Sequence, residues 1–122
     1  MPGTHDITPP VLTGLTLDSI NLDATAAPAT LTATVTAIDD LAGVALIVIV
    51  LNSGPSSVSA AATVQPPATS ANQTVTVTFP QYSRAGAWTI DELKLRDAAG
   101  NTATYNATQL AAMSLPNTVS LA

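Results

Sequence analysis

Hydrophobic and polar residues alternate almost without interruption from Thr30 to Ala37. Leu31, Ala33, Val35 and Ala37 fall on one side of an extended chain and Thr30, Thr32, Thr34 and Thr36 on the other. This predicts a strand with one face in a core and the other covered by threonine. Gln73 to Phe79 repeats the design, with Val75, Val77 and Phe79 inward and Thr74, Thr76 and Thr78 outward. Val44 to Leu51 is apolar on both faces. It reads either as a central strand covered on each side or as a strand whose outer face meets a neighbour.

From Gly86 to Tyr105 a strand, a change of phase and a tight turn follow one another. Trp88 and Ile90 alternate in one register and Leu93 and Leu95 in the other, so Asp91 and Glu92 mark a bulge or bend. The sequence Asp97-Ala98-Ala99-Gly100-Asn101 then predicts a turn, with Gly100 free to take a positive φ. Trp88, Ile90 and Leu95 join Val35 and Val77 as predicted core.

Weaker patterns fill in the rest. Val11 to Leu17 reads as a first strand that Ser19 to Asp23 continues after a break. Val58 to Val64 reads as an irregular edge strand, bounded by Pro55 and by Pro66-Pro67, which cannot donate ladder hydrogen bonds. Asn101 to Tyr105 and Asn117 to Leu121 are short strands. Asn106 to Met113 is the single candidate helix, capped by Asn106 or Thr108, with Leu110 and Met113 on one face and Pro116 ending it. The expected fold is all-β: an antiparallel sandwich of seven or eight strands with one short helical turn near the C-terminus. Residues 1–10 read as an N-terminal tail or linker and 11–122 as the sandwich.

Composition sharpens this picture. A chain of 122 residues fits one domain, and at 47% hydrophobic and 9% charged it has the apolar content to fold despite its low charge. The net charge is −5, with Arg84, Lys94 and Arg96 the only basic residues, so nucleic acid is not an expected partner. Without cysteine there is no disulfide framework and no thiolate metal site. The start, MPGTHDITPP, lacks a basic region followed by an apolar one, so no signal peptide is expected, and the eight apolar residues of Val44 to Leu51 predict no membrane insertion.

Several short motifs resemble the bacterial immunoglobulin-like modules strung along large secreted and surface proteins such as adhesins and multidomain hydrolases. They are Asp6-Ile7-Thr8-Pro9-Pro10 at the entry, Ala37-Ile38-Asp39-Asp40-Leu41-Ala42-Gly43-Val44 after the threonine strand, and Phe79-Pro80-Gln81-Tyr82 before Gly86-Ala87-Trp88. Asp97-Ala98-Ala99-Gly100-Asn101 followed by Tyr105 completes the set. The resemblance implies an immunoglobulin-like antiparallel β-sandwich that serves as a non-enzymatic extracellular spacer, stalk or adhesive module. Its partners would then be neighbouring modules of the same polypeptide or a cell-surface or glycan ligand. The cysteine pair of antibody-type domains is missing, which separates the chain from immune receptors.

Candidate chemistry is sparse. His5, the only imidazole, sits in the Pro- and Gly-flanked tail, so a Ser-His-Asp device lacks a positioned base and no catalytic residue is expected. Asp91 and Glu92 are adjacent on a strand and diverge unless a bulge brings them together, whereas glycoside hydrolysis needs two carboxyls facing one cleft. Asp6, Asp39, Asp40, Asp97 and Asn101 form a candidate calcium constellation, because the loop after the threonine strand, the turn at Asp97 and the entry segment are expected at one pole. The competing reading is that these Asp and Asn residues cap their own turns. Among the aromatics, Trp88 and Phe79 fall on core registers, Tyr82 is expected to form a corner or pack under the loop to Gly86, and Tyr105 is the open candidate for a sugar platform. Asn72-Gln73-Thr74 and Asn106-Ala107-Thr108 match the N-glycosylation triplet, a pattern that arises often by chance. Two rival functions follow: a carbohydrate-binding module of a hydrolase, and a self-assembling fibre or virion decoration subunit that pairs through edge strands.

Overall fold

The computed structural model describes residues 8–122. Strands β1 (Val11–Leu17), β2 (Asn21–Leu22), β3 (Ala29–Ile38), β4 (Val44–Ser53), β5 (Ser56–Ala68), β6 (Ser70–Phe79), β7 (Gly86–Asp97), β8 (Thr102–Tyr105) and β9 (Thr118–Leu121) are joined by one helix, α1 (Ala107–Ala112). One sheet has the order β1-β3-β6 and the other β2-β9-β7-β4-β5, with β8 also on β7. The fold is an immunoglobulin-like β-sandwich. Among the described residues it contains nine strands where the sequence predicts seven or eight, because Asn21–Leu22 forms its own parallel pairing with β9.

The alternations in the sequence become the inner faces of the two sheets. Leu31, Ala33, Val35 and Ala37 of β3 and Val75, Val77 and Phe79 of β6 are buried, as are Ile47, Ile49 and Leu51 of β4. Trp88, Ile90, Leu93 and Leu95 of β7 close the core from the other sheet. The phase change between Ile90 and Leu93 is a bulge: Val50 pairs with Glu92 and Leu51 with Ile90, leaving Asp91 without a partner position. Phe79 and Trp88 meet edge to face, with centroids 5.2 Å apart and planes at 75°, the arrangement aromatic quadrupoles favour.

β4 is a central strand between β5 and β7. Its outer residues Leu46, Val48 and Val50 are half-buried, beside Thr63, Ala61 and Ser59 on one flank and Arg96, Lys94 and Glu92 on the other. The edge strand β5 is longer than its prolines predict. Leu46 pairs with Thr63 but Val44 with Ala68, so Val64 to Pro67 bulge out of the ladder and the strand resumes beyond them. The prolines interrupt the pairing without ending the strand.

The helix begins with a reciprocal capping box: the Gln109 N–H donates to Asn106 Oδ1 and the Asn106 N–H to Gln109 Oε1, both at 2.9 Å. Leu110 is its one buried residue. Met113, which the sequence places beside it, is the C-cap and is exposed. Termination comes before Pro116, where Ser114 takes a φ of 59° and the Leu115 N–H bonds back to the Leu110 carbonyl.

Strand direction sets the polarity of the molecule. β1 starts opposite Ile38, the end of β3, while β9 ends with Leu121 opposite Gly86, the start of β7. The described chain therefore enters at one pole of the sandwich and leaves at the other. Ten residues of β3 at about 3.3 Å each separate the poles by roughly 30 Å.

Candidate functional site

The entry pole carries the acidic turns. The Asp39 N–H donates to the Thr69 carbonyl at 2.9 Å, which anchors the end of β3 to the β5–β6 corner. Asp39 is buried, and its Oδ2 accepts from the Gly43 N–H at 2.8 Å. Gly43 is required at this point: its φ is +89°, and a Cβ would lie 2.9 Å from the backbone of Pro67 and Ala68. Its carbonyl in turn accepts from the Ala98 N–H at 3.0 Å, so the 39–43 and 97–101 turns share one glycine.

Asp97, only 1% exposed, organises the second turn. Its Oδ1 accepts from the N–H groups of Ala99 and Asn101 at 3.0 and 2.8 Å, and its Oδ2 from the Asn101 amide at 2.9 Å. Gly100 has a φ of +95°, as the turn demands. The structure thus brings Asp39, Asp97 and Asn101 to one pole with Asp40 exposed beside them. Asp6 and His5 lie outside the described residues. Turn amides already occupy both Asp97 oxygens and one of Asp39, the arrangement of Asx caps. Among the described residues no group of three or more His, Cys, Asp or Glu side chains could hold a metal.

Beside these turns, Thr8, Pro9, Val11, Ile38, Asp39 and Asp40 line an open groove of about 180 Å³. Val11, Ile38 and the nearby Leu41 are each close to half exposed. This is an apolar floor with an acidic rim.

The exit pole is built by the 80–85 loop against the 23–28 loop. The Tyr82 N–H donates to the Ala24 carbonyl at 2.8 Å and the Gln81 side chain to the Thr25 carbonyl at 3.3 Å. Trp88 reaches up from the core to donate its indole N–H to the Arg84 carbonyl at 2.9 Å. Tyr82 does not pack under the loop as the sequence predicts. It is 81% exposed with a φ of 68°, a conformation rare for a residue with a bulky side chain. The Arg84 guanidinium lies over Gly54 in the β4–β5 turn.

Tyr105 is not an open platform. It is half-buried, and its hydroxyl accepts the Leu12 N–H at 3.0 Å. Asp91 is exposed and Glu92 half-buried at the bulge. The Asn106 side chain is engaged in the helix cap, and Asn72 is exposed on β6. Among the described residues no helix is long and apolar enough to cross a membrane.

No family model, curated protein or solved structure matches the chain.

Proposed function

We propose that this chain is a non-enzymatic structural module of a larger secreted or surface protein, a spacer or stalk domain of the bacterial immunoglobulin-like kind. The observation that carries the reading is the path of the chain, which enters at one pole and leaves at the other. Domains joined through such poles extend a polypeptide by roughly 30 Å each. The short acidic motifs fit the same role, because their side chains close the turns through which such a joint would pass.

A spacer resists tension between its poles. β9 is held on one side by β7 and on the other by parallel bonds to β2, with the Ser120 N–H on the Ile20 carbonyl at 2.7 Å and the Ala122 N–H on the Leu22 carbonyl at 2.8 Å. Pulling on the two ends slides these strands lengthwise, so the bonds must break together. Single-molecule extension should give one cooperative rupture. Ser120→Pro, at an exposed site, removes the bond to the Ile20 carbonyl and should lower the rupture force. Gradual yielding at low force would overturn the spacer reading, and so would turnover in hydrolase screens. The carbohydrate-binding alternative rests on Tyr82, since the Tyr105 hydroxyl is engaged, and a glycan array tests it.

A further inference from the structure

The two poles differ in a way that makes them complementary. One presents an apolar groove with an acidic rim, lined by Pro9, Val11, Ile38 and Asp40. The other presents an aromatic ring and a cation, Tyr82 and Arg84. We infer that the entry groove receives the exit loop of a second copy of this chain, Tyr82 seated on Val11 and Ile38 and Arg84 facing Asp40. This rests on the spacer reading and adds to it a defined head-to-tail joint.

Size and chemistry both select this occupant. A cavity of about 150 Å³ accommodates a benzene ring, so a groove of about 180 Å³ takes one phenol. Tyrosine is suited to such a seat, since its ring buries apolar area while its hydroxyl stays at the wet rim. The left-handed backbone of Tyr82, held by the bond from its N–H to Ala24, keeps the ring off its own domain. Charge also discriminates. With a net charge of −5, two copies repel unless they meet through a surface that pairs opposite signs. Arg84 is the one basic residue away from β7, where Lys94 and Arg96 reside. Because the two surfaces lie at opposite poles, docking is heterologous and leaves a free groove and a free tyrosine at the ends. Untethered copies should bind weakly, with a Kd on the order of 1 mM, as expected of a small contact. A short linker supplies effective concentrations of that order, so within one polypeptide the joint is closed about half of the time.

The test uses the chain itself in sedimentation equilibrium and amide NMR over a concentration series reaching millimolar protein. Wild type should form species larger than a dimer, with shifts at Val11, Ile38, Leu41 and at residues 81–84. Tyr82→Ala keeps the groove and loses the ring; Ile38→Asp keeps the ring and spoils the groove. Each variant alone should stay monomeric, and an equimolar mixture should recover one joint and stop at a dimer. Both sites are exposed, and Arg84→Glu provides an independent variant that should weaken association at least several-fold. A wild type that stays monomeric overturns the inference. Association that persists in both single variants, with shifts along β5, means edge pairing and overturns it as well. Shifts at Tyr82 that appear only on adding an oligosaccharide would replace the joint with a glycan site. Loss of the joint leaves the tension measurement untouched, since a flexible connection also makes a spacer.

Discussion

The Leu12 N–H donates to the Tyr105 hydroxyl at 3.0 Å across 93 positions of sequence, and so ties the edge strand of one sheet to β8 of the other. An edge strand offers unpaired backbone groups to any passing strand. Here one of them is closed by a side chain from the opposite sheet. Tyr105→Phe keeps the ring and removes the acceptor, so unfolding free energy in denaturant should fall by about 0.5–1.5 kcal/mol, the net value of one such bond. An unchanged midpoint would mean that water replaces the hydroxyl without loss.

Trp88 combines three roles that a smaller residue cannot fill: core volume, edge contact with Phe79, and the indole bond to the Arg84 carbonyl. Trp88→Ala should cost about 3–5 kcal/mol, the range for large aromatic truncations in cores. Trp88→Phe should cost less, yet it should loosen the 80–85 loop, because only the indole N–H reaches Arg84. Denaturant midpoints measure the first effect and amide exchange at residues 82–84 the second.

Asp97→Ala removes the acceptor for the N–H groups of Ala99 and Asn101 and for the Asn101 amide. A loss of about 1.5–3 kcal/mol is expected, as for hydrogen bonds to a charged group. The same occupied oxygens imply that millimolar calcium leaves the melting curve of the wild type superimposable on that in chelator. A rise in melting temperature with calcium would instead mean that the carboxylates reorganise around an ion.

Asp23 offers a test with a pH readout. Its carboxylate accepts the Thr25 hydroxyl at 2.6 Å and the Thr25 N–H at 2.8 Å. The hydroxyl first and the amide second hold its pKa below the ordinary 3.8. A depressed folded-state pKa means that the contribution to stability is complete above the unfolded value and lost as pH falls through the folded one. NMR titration of the Asp23 carboxyl should give an inflection below 3.8, and Thr25→Ala should move it up towards 3.8. An inflection that does not move in Thr25→Ala would remove the hydroxyl as the cause.

The inner faces were legible in the sequence because one-sided burial imposes a period of two on each strand, and Leu31 to Ala37 and Val75 to Phe79 keep it. The bulge at Asp91 was legible for the same reason, since a bulge shifts that period by one. The Asp97 turn was legible because its capping bonds lie within four residues. Local chemistry also fixed the helix, where Asn106 and Gln109 satisfy each other's amides.

Tertiary structure alone decided the rest, because periodicity carries no information about which strands meet. The parallel pairing of β2 with β9, the resumption of β5 beyond Pro66 and Pro67, and the seat of the Tyr105 hydroxyl on Leu12 all join residues whose local sequence does not name the partner. Tyr82 shows the limit most sharply. Its neighbours in sequence mark a loop, but the bond from its N–H to Ala24 sets a left-handed backbone that turns the ring to solvent. The opposition of the two poles likewise follows from the directions of β1 and β9. Only the assembled sheets set those directions, since an isolated strand buries its apolar face equally well in either one.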